Sequence, residues 1–308
     1  MEFKTHLIMF EKLNNLLASA NQVILGKNSS IRLSVCCLLA HGHLLIEDVP
    51  GVGKTTLSHT LAKLFGLEYQ RIQFTSDILP ADIIGSSVFL ADKQQFKFHP
   101  GPIFKQIILA DEINRASPKV QSALLEAMEE RQVTVDGKTY PLPTTFFVIA
   151  TQNPLFHAGT FALPESQMDR FLMRIALGYP DQRAERELLA GSPRHLLVDK
   201  LPVILPLDEL MKIQKMVNQV YASPALLDYV LAVLTFTRQP DLYQCGLSPR
   251  AGLALLRAAK AWALMAERQA VLPEDIQAVL PAVAGHRLCP GQSDSISIVA
   301  PIINSVPV

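Results

Sequence analysis

Short apolar runs alternate along the first part of the chain with stretches whose apolar residues recur every three or four positions, so strands and helices take turns. Leu44-Leu45-Ile46, Ile107-Ile108-Leu109-Ala110 and Phe146-Phe147-Val148-Ile149-Ala150-Thr151 lack polar alternation, the mark of strands covered on both faces. Residues 69–74 and 174–177 supply two further strand segments. Ile31, Val35, Leu38 and Leu39 line one side of a helix ending near Leu39, with Asn28, Ser29 and Ser30 as capping-type residues ahead of it. Leu57, Leu61 and Leu64 do the same for a helix starting at Lys54, and Val120, Leu124, Ala127 and Met128 for residues 119–130. Apolar strands separated by helices predict an α/β fold around a parallel sheet.

Two segments interrupt that alternation. Val133-Thr134-Val135 and Lys138-Thr139-Tyr140 bracket Asp136-Gly137, a hairpin turn pair. Val88-Phe89-Leu90 and Phe96-Lys97-Phe98 bracket a polar turn. The two insertions span about residues 86–99 and 132–141. After Pro180 the pattern turns helical, over residues 182–189, 207–221, 225–237, 250–268 and 274–283. The chain therefore divides into an α/β domain over residues 1–185, a proline-containing linker over 186–206 and a small helical domain over 207–308. In the tail from Pro290, Ile296-Ser297-Ile298-Val299 reads as an extended piece that docks on the rest.

With 308 residues, two domains are expected at roughly 150 residues each. Hydrophobic residues make up 49% and charged residues 18%, enough to build large cores and too little charge for wholesale disorder. Lys plus Arg number 28, as do Asp plus Glu, so no net positive field marks nucleic acid as a partner. Cys36, Cys37, Cys245 and Cys289 form no CxxC pair and read as buried, reduced thiols. The most apolar stretch, residues 31–46, is broken by Arg32, Ser34, His41, Gly42 and His43, so no membrane span is expected, and the absence of a leader pattern points to the cytoplasm. His41 and His43 lack partners at metal-ligand spacing, and no GxSxG or HExxH is present.

The chemistry gathers where strands end. Pro50-Gly51-Val52-Gly53-Lys54-Thr55-Thr56 follows an apolar strand and opens a helix. Main-chain N–H groups of such a loop, with the positive end of the helix behind them, cradle phosphate oxygens. Lys54 is placed to reach β- and γ-phosphates, and Thr55 to ligate Mg²⁺. The usual pattern has Gly where this chain has Asp48. Asp111 and Glu112 end the second apolar strand; Asp111 suits a metal and Glu112 the polarisation of an attacking water. Asn153 closes the next strand, where its amide can hold that water. Ser248-Pro249-Arg250 reads as cap, first and second helical residue, which aims Arg250 from a helix's positive end toward phosphate. Arg170, in Glu165-Ser166-Gln167-Met168-Asp169-Arg170-Phe171, is a candidate for stabilising the transferring phosphoryl group from outside, with Arg115 as a competing candidate.

Taken together, Glu47-Asp48-Val49-Pro50-Gly51-Val52-Gly53-Lys54-Thr55, Ala110-Asp111-Glu112-Ile113-Asn114-Arg115-Ala116, Ala150-Thr151-Gln152-Asn153-Pro154 and Leu163 to Phe171 closely resemble the MoxR family of AAA+ ATPases over about residues 20–285. The resemblance implies a five-stranded parallel sheet in the order 5-1-4-3-2 followed by a helical lid. It implies Lys54 and Thr55 as the Walker A pair, Asp111 and Glu112 as Walker B, Asn153 as sensor 1, Arg170 as the arginine finger and Arg250 as sensor 2. Residues 23–26, ending at Gly26, match the stretch lining the adenine pocket, and the two hairpins match insertions that touch clients. Asp48 is shared by relatives reading Glu-Asp-x-Pro-Gly. ATP and Mg²⁺ are the implied ligands. The implied role is a ring, as a hexamer, that remodels protein clients with a von Willebrand factor A partner. A nucleic-acid motor, a magnesium-chelatase-like subunit and an ATP-gated scaffold remain as alternatives.

Overall fold

The computed structural model describes residues 2–153, 159–191, 194–240, 242–289 and 294–308, with backbone alone at residues 2–7 and 195. Pro154 and Pro290 fall outside the described residues. Numbered along the chain, α1 (Glu2–Val23) and α2 (Asn28–Leu39) precede β1 (Leu44–Glu47), α3 (Lys54–Phe65) and β2 (Tyr69–Gln73). A short α4 (Pro80–Ile84) leads into β3 (Gly85–Leu90) and β4 (Gln95–Pro100). Next come β5 (Ile107–Asp111), α5 (Pro118–Glu130), β6 (Gln132–Val135), β7 (Lys138–Pro141), β8 (Phe147–Gln152), α6 (Glu165–Met168) and β9 (Met173–Ile175). The rest is helical: α7 (Gln182–Ala190), α8 (Arg194–Asp199), α9 (Leu207–Gln219), α10 (Pro224–Thr237), α11 (Pro249–Met265), α12 (Pro273–Leu288) and α13 (Ser295–Ser305).

The main sheet runs β2-β5-β8-β1-β9 with every neighbouring pair parallel, which is the expected 5-1-4-3-2 order once the hairpin strands are set aside. Alternate residues of the same strand feed two separate cores. Leu44, Ile46, Ile107, Leu109, Phe147 and Ile149 face a large cluster shared with α1–α3 and the C-terminal helices. Leu45, Ile108, Ala110, Val148 and Ala150 face a second cluster with α4 and α5. This two-sided burial is why the strands read as unbroken apolar runs.

Both expected hairpins form. β3 pairs with β4 antiparallel, Val88 opposite Lys97 and Phe89 opposite Phe96, and β6 pairs with β7 around Asp136 and Gly137, both at positive φ as a two-residue turn requires. Phe89 and Phe96 meet at 5.2 Å between ring centroids, their planes tilted by 58°, and are 53% and 72% exposed.

Several expectations need correction. The segment 296–299 is not extended but part of α13. Asp294 caps it by accepting the Ser297 N–H at 3.2 Å, and Ile298, Val299 and Ile302 are buried at helical spacing while Ile296 is exposed. The Ile-Ser-Ile alternation imitates a strand because helical and strand periods are indistinguishable over three residues. Helix α1 was not expected at all, although Met9, Leu13, Leu16, Ala20 and Val23 form its buried stripe. Lys27, not Asn28 to Ser30, precedes the first residue of α2. The stretch 186–206 holds the end of α7 and all of α8, and the Ile204 and Leu205 N–H groups bond the Leu64 carbonyl of α3, so it packs on the helices α1 and α3 that cover one face of the sheet. The cysteines are free thiols, but Cys245 is exposed and Cys289 half-buried; only Cys36 and Cys37 are fully enclosed, where burial raises both thiol pKa values. Among the described residues no helix is long and apolar enough to cross a membrane.

Candidate nucleotide site

Parallel pairing of β1, β8 and β5 brings their C-terminal ends to one edge, with Glu47 level with Gln152 and Ala110 level with Ala150. Ligand crevices of open α/β sheets lie at this edge. Between β1 and α3 the loop turns through Gly51 at φ 85° and Gly53 at φ 100°, left-handed values that side chains disfavour. Added Cβ atoms on either glycine would meet nothing within 4 Å, so the loop faces open space rather than protein. Pro50, Gly51, Gly53, Lys54, Thr55 and Thr56 line a cavity of about 340 Å³ together with Arg71, Asp111, Glu112 and Asn153. Val52 instead packs on the large core.

Inside this cavity Lys54, Arg71, Asp111, Glu112 and Asn153 hold one another or their neighbours in place. Lys54 Nζ donates to the Asp48 carbonyl at 2.6 Å and to Asn153 Oδ1 at 3.2 Å. Burial lowers the Lys54 pKa, and Asp48, Asp111 and Glu112 oppose that shift. Asn153 Nδ2 donates to Glu112 Oε1 at 3.3 Å, so one amide bridges the ammonium and the carboxylate. Glu112 sits at φ 58°, a strained left-handed conformation for a non-glycine residue. Its N–H is taken by Thr151 Oγ1 at 2.9 Å, whose hydroxyl donates to Asp111 Oδ1 at 2.6 Å. Thr151 therefore fixes both acids from the neighbouring strand. The other Asp111 oxygen, Oδ2, accepts from Arg71 Nε at 3.1 Å and from a terminal Arg71 nitrogen at 2.7 Å. Gln73 Nε2 donates to Glu112 Oε2 at 3.2 Å, and Arg115 Nε lies 2.8 Å from the same oxygen.

Asp48, the departure from the usual loop pattern, has a structural task. Its Oδ2 accepts the Leu177 and Gly178 N–H groups at 2.6 Å each, and Oδ1 accepts the Val49 N–H at 2.8 Å. The start of the β1–α3 loop is thereby tied to the segment after β9. Gly26 lies against that same region: at φ 70°, a Cβ there would come 3.2 Å from Ala184 Cβ, and neighbouring Lys27 Nζ donates to the Tyr179 carbonyl at 2.6 Å. One residue earlier, Glu47 and Arg174 form a buried pair at 2.9 Å, with Gln152 on the second Glu47 oxygen at 3.1 Å. Removing one half of such a pair costs about 3–5 kcal/mol, so the floor of the loop is rigid.

Arg170 and Arg250 are not brought to this cavity. They meet instead in a second one of about 450 Å³, with Asp169, Arg257, Lys260 and Arg287 among its lining residues. Arg170 Nε is 2.8 Å from Glu129 Oε2, and a terminal Arg250 nitrogen is 3.1 Å from Glu129 Oε1. Arg287, on α12, donates to Asp169 Oδ1 at 2.6 Å and to the carbonyls of Asp169 and Phe171 at 3.1 and 2.8 Å, which anchors the turn carrying Arg170. Arg71, Gln73 and Thr151 escape a reading of the sequence because their roles depend on cross-strand register. A polar Arg71 within a strand segment of a buried sheet is the one signal that marks it.

Comparison with known proteins gives a consistent result. The pattern of the ATPase family associated with various cellular activities matches residues 43–173, and that of the AAA lid domain matches residues 235–302. The chain is 41% identical to Chaperone MoxR1 of Mycobacterium tuberculosis, over 87% of this chain and 73% of that one. It is 36% identical to Protein MoxR of Paracoccus denitrificans, over 88% of this chain and 86% of the relative. It is also 45% identical to the uncharacterized YeaC protein of Bacillus subtilis, over 90% and 88%. A crystal structure of a protein assigned as an ATPase from Cytophaga hutchinsonii superposes with a TM-score of 0.87 at 36% identity, covering 100% of this chain and 99% of that one.

Proposed function

Because this chain belongs to the MoxR family of AAA+ ATPases and hydrolyses ATP, we propose that it does so as a ring in which each P-loop cavity is completed by arginines of the adjacent subunit. The observation that carries this reading is a separation: Lys54, Asp111, Glu112 and Asn153 converge on one cavity while Arg170 and Arg250 share another. Two half-sites on one chain suit a head-to-tail assembly, since heterologous contacts close into rings.

In this reading the main-chain N–H groups of residues 51–56 hold the triphosphate, with Pro50 shaping the turn, and Lys54 sits against its β- and γ-phosphates. Glu112 Oε1 orients water for attack on the γ-phosphate, and Asn153 fixes that carboxylate through its Nδ2. Gly26 and residues 23–25 lie beside the base, tied to the loop through Asp48. Thr55 and Asp111 would hold Mg²⁺, and the fit is chemical: both are hard oxygen donors on one cavity, and Asp111 Oδ2 already attracts a cation, the Arg71 guanidinium. When bound, the ion would neutralise charge between β- and γ-phosphates. Arg170 and Arg250 supply the charge that the neighbouring subunit's γ-phosphate meets as it leaves.

The biological task is that of a chaperone-like remodeller; the mycobacterial relative is named a chaperone. Residues 1–185 form the motor, 207–308 the lid and 186–206 a packed connection between them. The β3–β4 hairpin, with two exposed aromatic rings, is the client-facing element, and a hexamer working with a von Willebrand factor A partner in the cytoplasm completes the picture. The balanced charge supports a protein client over DNA.

Glu112→Gln tests the site. It should retain ATP, which copurifies or binds in calorimetry, and lose turnover by about 10²-fold or more, as expected when the group orienting the nucleophile goes. Hydrolysis at the wild-type rate would remove the assignment.

A further inference from the structure

Arg71 is a feature of the P-loop cavity that the roles above leave unused. It projects from β2, the edge strand of the sheet, on the side of Tyr69 and α3, opposite to Ile72, which enters the other core. Two of its nitrogens converge on a single oxygen, Asp111 Oδ2, and a terminal nitrogen also donates to Gln73 Oε1 at 2.8 Å. The remaining Asp111 oxygen is committed to Thr151. The Arg71 side chain is about half exposed. An ion pair whose cation is half exposed adds little to stability, so folding alone does not account for a fork placed among the groups of this cavity.

We propose that Arg71 is a positioning residue for metal uptake: by holding Asp111 Oδ2 it opposes a divalent cation that arrives alone and yields to one that arrives with a triphosphate. This rests on the nucleotide-site reading above. A divalent ion approaching Asp111 meets the guanidinium charge at contact range, and the carboxylate it needs is already paired. A triphosphate brings enough negative charge to hold the guanidinium and the ion at once, so the arginine can exchange a carboxylate oxygen for a phosphate oxygen without being left unpaired. The delocalised, planar guanidinium suits such a change of partner, because its donors fit carboxylate and phosphate alike. Metal binding and nucleotide binding are thereby coupled, and Asp111 is kept from binding a stray cation.

The test is a Mn²⁺ titration of the full-length, nucleotide-free protein, with free aquo-manganese followed by electron paramagnetic resonance. Arg71→Gln and Arg71→Met, both uncharged, should bind Mn²⁺ roughly tenfold more tightly than wild type, the order expected for loss of one adjacent positive charge in a partly solvated site. Arg71→Lys, which keeps the charge, should remain near wild type, and the gain should vanish when Asp111→Asn is added to Arg71→Gln. Equal Mn²⁺ affinity in wild type and both uncharged variants, with ATP still bound by all of them, overturns the proposal. Failure of wild type itself to bind ATP would instead overturn the nucleotide-site reading.

Discussion

Glu129 holds Arg170 through one carboxylate oxygen at 2.8 Å and Arg250 through the other at 3.1 Å, so two arginines 80 positions apart in the sequence share one acid. The arrangement sets both guanidinium groups side by side while Arg287 secures the turn behind them. Preorganised charge is what a developing phosphoryl transition state requires, since nothing then has to reorganise as the reaction proceeds.

If the pair acts across a subunit boundary, Arg170→Ala should bind ATP normally yet lose turnover by about 10³-fold or more. Mixed with Glu112→Gln, which is defective on the other half-site, it should recover part of the activity, because some boundaries then join two intact halves. Steady-state phosphate release across a series of mixing ratios measures this. A flat, inactive series would place Arg170 in its own subunit's chemistry or outside the chemistry altogether.

The β3–β4 hairpin yields a second expectation. Its ring pair is exposed, so replacing Phe89 and Phe96 with Ser should change unfolding free energy by about 1 kcal/mol or less. Basal ATPase should persist, while capture of a permanently unfolded polypeptide should weaken severalfold, read by fluorescence anisotropy. Undiminished capture would move the client surface elsewhere.

His43 gives a dependence on pH. Burial, helped by Arg131, pushes its pKa down from 6.5 to about 3, and its neutral Nδ1 accepts the Val148 N–H at 3.0 Å. The unfolded chain takes up this proton near 6.5 and the folded chain does not until about 3. The stabilisation is therefore complete above 6.5 and is lost as pH falls through that window, at about 1.4 kcal/mol per pH unit. His43→Asn, whose side-chain oxygen can take the same N–H, should flatten the slope by about that amount in urea unfolding at pH 6 and pH 5. His286, also buried and lowered by desolvation, has the same sign and persists in the variant.

Much of the site was legible because its determinants are contiguous. Gly51 to Thr55 make the tight turn into α3 from their own backbone preferences, and a strand that ends in Asp111 and Glu112 needs only a parallel sheet to bring those acids beside it. Apolar runs buried on both faces fixed that sheet. Misread stretches were those where local pattern is ambiguous: four residues of α13 fit two periodicities, and which one applies depends on whether Val299 and Ile302 find a core to enter.

The sequence alone determined an α/β fold with a glycine turn and two acids at strand ends, because short-range backbone geometry and side-chain periodicity suffice for that, and its motifs carried the resemblance to an ATPase family. Only the tertiary structure decided that Arg71 rests on Asp111, that Asp48 holds the turn at Gly178, and that Arg170 and Arg250 gather on Glu129 apart from Lys54. Each of these is a contact between distant segments. Its geometry follows from strand register and helix packing, which arise when two hydrophobic faces meet and are encoded in no single stretch of chain.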